Sequence, residues 1–96
     1  MNKNTKVFLD SLVQISEYWA NLGEERIEPS KYENEIEYRI NGAIHSILAM
    51  VEGESAINNF TPYNISTSRS VIGENIYLPR AYFERWEKAK KVEKKQ

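Results

Sequence analysis

His45 is the only histidine among 96 residues, and there is no cysteine. Acid–base, nucleophilic or metal chemistry would therefore have to run through one imidazole, hydroxyls and carboxylates. The lack of cysteine removes disulfides, thiol catalysis and cysteine-ligated zinc or iron–sulfur sites. Asn41 and His45 stand four apart and share a helix strip with Glu37 and Glu52. No second histidine or cysteine completes a zinc site, and carboxylates suit harder ions. A serine–histidine pair would need His45, but adjacent Ser46 projects from another side of a helix. Ser66, Ser68 and Ser70 lack the flanking glycines of a nucleophile elbow. Glu33, Glu35 and Glu37 fall early in a predicted helix, where negative charge complements the helix dipole without any substrate. The four glycines show no phosphate-loop spacing. The chain reads as non-enzymatic, with no cofactor and no metal.

The elements that would position these residues are mainly helical. Phe8, Leu12, Ile15, Trp19 and Leu22 recur at spacings of four and three, predicting a helix over 5–22. Asn4 or Thr5 would cap it, and Gly23 is placed for a left-handed C-terminal residue. A second stripe, Leu9, Val13 and Ala20, lies on another side. The capping box Ser30-Lys31-Tyr32-Glu33 opens a second helix over 31–52, closed by Gly53. On a helical wheel this helix has a broad apolar face (Ile36, Ile40, Ala43, Ile44, Ile47, Val51) and a small-residue face (Gly42, Ser46, Ala49) one turn from Arg39. A narrow strip of Glu37, Asn41, His45 and Glu52 is left for water. Such a helix is expected at the centre of the fold, contacted on two sides.

Beyond Glu54 the helical period is lost. Tyr63, Ile65 and Thr67 alternate with polar residues, as do Ile76 and Leu78. The alternation predicts a two-stranded β-ribbon near 63–67 and 75–78, turning at Ser68-Arg69-Ser70 or Gly73-Glu74-Asn75. Pro79 suits the start of a third helix over about 80–90, with an apolar stripe of Tyr82, Phe83, Trp86 and Ala89. A basic tail, 91–96, is expected to fray. The expected fold class is mainly α with a small β element, as one domain over 1–96: three helices and a ribbon between the second and third.

Charge is divided along the chain although the total is −1. Residues 80–96 carry seven basic and three acidic side chains, net +4, and residues 1–79 are net −5. The longest near-apolar run, Ala43 to Val51, has nine residues, too few for a membrane span. Asp10 interrupts any signal-peptide core, so a cytoplasmic protein with no membrane partner is expected. Eleven aromatic residues (two Trp, six Tyr, three Phe) are many for a core this small, and Tyr and Trp favour interfaces. A protein partner, a homodimer, or both are expected. The alternative is a nucleic-acid-associated factor contacting phosphates through Arg80, Arg85, Lys88 and Lys91, with Tyr82 or Trp86 stacking on bases. The sequence pI near 5.9 argues against that alternative.

The run from Arg39 through Gly42, His45-Ser46 and Glu52-Gly53-Glu54-Ser55 to Ala56 resembles a pattern in small bacterial proteins of unassigned function. There an Arg, a Gly, a His-Ser pair and an acidic-Gly-x-Ser turn recur before a short β segment. The resemblance spans about a fifth of the chain. Glu52 stands where the pattern tends to have Asp. The resemblance implies bacterial or phage origin and carries no activity with it. Abundant Ile, Asn and Lys (10, 9 and 8 residues) also suit an AT-rich genome. Read as a site, the motif nominates Arg39, His45, Ser46, Glu52 and Ser55. Read as structure, it is a packing and capping device: Gly42 and Ser46 for close approach, Gly53 for the helix stop. The expected role is a small protein-binding or regulatory module.

Overall fold

The computed structural model describes residues 1–23 and 34–94, with side chains through Lys91. Three helices account for most of it: α1 (Lys3–Ala20), α2 (Glu35–Val51) and α3 (Leu78–Lys94). A single 3₁₀ turn (Ala56–Asn58) follows α2. Both α1 and α3 pack on α2, so the second helix is central, as its two-sided pattern predicts. The described chain measures 44 × 35 × 20 Å, about two helix diameters in its thinnest direction. In so thin a body few side chains are enclosed. Among the described residues the buried apolar ones are Ile15, Leu22, Met50, Val51 and Pro79, joined by the polar Ser11, Asn41 and Asn58.

The helix ends follow local chemistry, and most lie two or more residues from the expected positions, the exception being the end of α2 at Gly53. Asn2, not Asn4 or Thr5, caps α1 by accepting from the Thr5 amide at 2.7 Å. Its C-cap is Asn21, two residues before Gly23. Helix α2 begins after Asn34, whose extended backbone and side chain, accepting from the Glu37 amide at 2.8 Å, rule out a continuous helix from 31. The Ser30 capping box lies outside the described residues. At the other end Gly53 has φ +82°, donating to the Met50 carbonyl while Glu54 donates to that of Ala49. This paired closure is the one glycine favours. Helix α3 starts at Leu78, with Pro79 second, and continues to Lys94 through the segment expected to fray.

The β-ribbon does not form: no strand occurs among the described residues. A single antiparallel bridge, Ser66 to Val71, remains. Two backbone bonds flank it, Thr67 N to Ser70 O at 2.8 Å and Ile72 N to Ile65 O at 2.6 Å. Thr67 Oγ1 accepts from the Arg69 and Ser70 amides, which fixes the turn. No second pair extends the ladder, because Gly73 (φ +79°) and Asn75 (φ +60°) turn the chain away. Leu78, half of the expected alternation with Ile76, is the first residue of α3. A two-stranded ribbon is marginal without support, and Ile65, Val71, Ile72 and Ile76 all remain exposed.

The joint between α1 and α2 is built on Trp19. Its ring lies flat on Gly42, where an added Cβ would stand 2.5 Å from Cη2. The indole Nε1 donates to Ser46 Oγ at 2.9 Å. The small-residue face of α2 is thus occupied within the chain. Arg39 closes the end of α1: its guanidinium donates to the carbonyls of Trp19 (2.6 Å) and Leu22 (2.6 Å), more weakly to Ala20 (3.3 Å), and to Glu35 Oε1. These are the carbonyls a helix end leaves without partners, and they carry the negative end of its dipole.

Two substitutions test this joint. Gly42→Ala is expected to cost ~1–3 kcal/mol through overpacking against the Trp19 ring. Arg39→Lys, which keeps the charge and loses the fork, should cost about 1–2 kcal/mol in uncompensated carbonyls. Urea unfolding should show lower midpoints with unchanged slopes. A neutral Gly42→Ala would mean that Trp19 does not rest on this position.

Candidate functional site

The strip of α2 expected to face water instead holds α3. Asn41 is 6% exposed. Its Oδ1 accepts from the Tyr82 hydroxyl at 2.5 Å while its Nδ2 donates to the Glu37 carbonyl. Glu37 pairs with Lys90 at 3.0 Å, and Lys90 also stands 5.9 Å from the Trp86 ring centre. Glu52 Oε1 accepts from the Leu78 amide at 3.1 Å, satisfying an orphan donor at the start of α3. Helix α3 is too poor in aliphatic residues to dock by oil alone, so polar ends of long side chains fix its register. The apolar face of α2 pays for this arrangement: Ile36 and Ile40 are 69% and 54% exposed.

Because α1 and α3 grip α2 on neighbouring sides, a groove opens between them. Trp19 and Tyr38, edge-to-face at 5.9 Å, form one wall. Pro79, Tyr82 and Phe83 form the other, Asn41 and Gly42 the floor, and His45, Tyr77 and Arg80 the mouth. Its volume is about 400 Å³, within the range of ligand sites but near the small end. The walls are aromatic. The polar groups at the mouth, the His45 imidazole and Arg80 guanidinium, are exposed and make no hydrogen bond or ion pair with any described residue.

A second cleft, about 450 Å³, lies on the other side of Trp19 and is lined by Ile15, Ser46, Ala49, Ser55 and Ile57. It is slightly larger, yet its serine hydroxyls already serve the chain. Ser46 receives the Trp19 indole, and Ser55 Oγ accepts from the Ile57 amide. The aromatic groove is therefore the better candidate.

The residues nominated from sequence separate accordingly. Arg39 caps α1, Ser46 holds Trp19, Glu52 caps α3 and Ser55 caps the 3₁₀ turn. They do not converge, apart from Ser46 and Ser55 at the second cleft. His45 alone has no such duty and borders the aromatic groove. Among the described residues no three metal-ligating side chains cluster. Of the basic residues of α3, Arg80 lines the groove, while Arg85, Lys88 and Lys91 lie exposed elsewhere on the helix. Glu84 and Glu87 stand four residues from Arg80 and Lys91 and interrupt a basic strip. No helix of the described residues is long and apolar enough to cross a membrane.

Sequence reasoning left out the groove walls, assigning Trp19 and Phe83 to the core. The excess of aromatics over available core was the signal that could have found them. Comparison with models of known protein families, with curated proteins and with solved structures finds no match.

Burial pushes the Tyr82 phenol above its ordinary value of 10.0, and the Glu54 carboxylate beside Tyr77 does the same there. In both cases folding favours the neutral phenol. The stabilisation is complete below pH 10.0 and is lost as pH rises through the higher folded values. The protein should therefore lose stability at strongly alkaline pH. In Tyr82→Phe this loss should be smaller, with a constant penalty of about 1–3 kcal/mol at neutral pH for orphaned Asn41. Urea unfolding at pH values on both sides of the transition checks both. An alkaline slope unchanged in Tyr82→Phe would contradict the assignment.

Proposed function

We propose that this chain is a small, non-enzymatic, cytoplasmic binding module of bacterial or phage origin, and that it engages a partner protein through the aromatic groove between α1 and α3. The observation that carries this reading is the groove itself. Five aromatic rings line a space that the described side chains leave open, and few apolar residues among those described are buried. Aromatic side chains are enriched at protein interfaces because each offers a large rigid surface at little entropic cost. The space suits one or two side chains of a docking segment, and the engaged polar groups of the floor offer no reacting arrangement. A homodimer, also expected from the sequence, belongs to the same proposal, with Ile36 and Ile40 as its apolar surface.

Selection from a displayed random-peptide library tests the groove. Peptides with an aromatic or branched apolar anchor should be enriched. His45→Trp, which places an indole at the mouth without touching the core, should weaken the selected peptides about tenfold or more. Val13→Ser, on the exposed side of α1, should leave them unchanged. Failure to select any binder, or binders indifferent to His45→Trp, would count against the groove.

A further inference from the structure

We infer that the groove's occupant is a peptide segment that pairs an aromatic anchor with a neighbouring carboxylate, the anchor lying between Trp19 and Phe83 and the carboxylate meeting Arg80. This rests on the binding reading above and names the partner's chemistry. Among the described residues that line the groove, Arg80 is the only formally charged side chain and none is a carboxylate. Two of the acids around the groove are committed elsewhere, Glu52 to the α3 amide and Glu37 to Lys90, and Glu84, four residues on from Arg80, is exposed and makes no ion pair with it. Arg80 is exposed and makes no hydrogen bond or ion pair within the described chain, so its guanidinium fork is available. His45, also lining the groove, adds a ring N–H donor.

The alternatives fit less well. A cation, such as a quaternary ammonium in an aromatic cage, would sit against Arg80 with no counter-charge in the lining. A purely apolar segment would cover the guanidinium and leave it desolvated without a partner, which is costly. A carboxylate beside the anchor removes that cost and adds a charge-assisted, two-pronged contact. Arg80 would act as a specificity-determining residue, and the aromatic walls would supply most of the affinity.

The test uses fluorescein-labelled heptapeptides with a central Trp whose following residue is Asp, Asn or Lys, titrated with the full chain and followed by polarisation. The Asp peptide is expected to bind about tenfold tighter than the Asn peptide, with the Lys peptide weakest. Arg80→Gln should bring the Asp and Asn peptides together while leaving the Asn affinity unchanged. Arg80 is exposed and makes no hydrogen bond or ion pair within the described chain, so this variant is expected to fold, and its circular dichroism is the control. The inference is overturned if Asn or Lys peptides bind as tightly as Asp, or if the Asp preference survives Arg80→Gln. When such peptides still compete with library-selected binders and weaken in His45→Trp, the groove reading stands and only the acidic partner is lost. No binding by any of the peptides overturns the acidic partner, and an empty library selection beside it removes the groove reading too.

Discussion

The contact of the Trp19 ring with Gly42 sets the distance between α1 and α2, and much else follows from that distance. A glycine in mid-helix costs roughly 1 kcal/mol relative to alanine. Here it lets an indole lie against the α2 backbone, where any Cβ would collide. Close approach then brings Ser46 within reach of the indole nitrogen and Arg39 within reach of the last carbonyls of α1. These three interactions come from one face of α2 at successive turns. They anchor the same end of α1, so the ring cannot shift without breaking a hydrogen bond. The same ring also forms a wall of the groove, which ties the shape of the candidate site to the main joint of the fold.

The opposite arrangement holds α3. That helix brings aromatics and lysines rather than aliphatic bulk, and it meets the most polar strip of α2. The interface works because its polar atoms are matched: Tyr82 with Asn41, Lys90 with Glu37, the Leu78 amide with Glu52. Buried polar contacts are costly to leave unmatched and therefore select one register. Such docking leaves voids that aliphatic packing would fill, and the aromatic groove is one of them. Exposed Ile36 and Ile40 are the other side of the choice: α2 turns its polar strip inward toward α3 and part of its apolar face outward.

Helix number, order and the central place of α2 were legible because the three-and-four spacing of Phe8, Ile15 and Trp19 and the two-faced wheel of α2 are long, regular signals. The ribbon was misread because Ile76 and Leu78 alternate across the start of a helix, and two alternating residues cannot distinguish a strand from a turn leading into α3. Glu37, Asn41 and Glu52 were misread as facing water for a related reason, while His45 is exposed as expected. Polarity on a wheel marks solvent only when no partner brings complementary polar ends, and Tyr82 and Lys90 are far away in sequence. Helix boundaries shifted to Asn2 and Asn34 because asparagine caps compete well with serine and threonine at such positions. The groove could not be read directly, since its walls come from three helices whose relative placement depends on Gly42.

The Arg-Gly-His-Ser and Glu-Gly-x-Ser run shows why residue type alone is a weak guide to a site. Arginine, serine and glutamate are common in active sites because they hydrogen-bond strongly, and helix ends and joints use them for the same reason. Here Arg39 meets carbonyls, Ser46 an indole, Glu52 an amide and Ser55 another amide. Each satisfies a backbone or ring group that would otherwise be left without a partner, so folding accounts for these residue types in this chain. His45 is different. It is exposed, makes no bond within the described chain and stands at the mouth of the groove. Once the structural duties of Arg39, Ser46, Glu52 and Ser55 are assigned, His45 is the motif residue left with a free polar end, and with Arg80 it borders the aromatic groove.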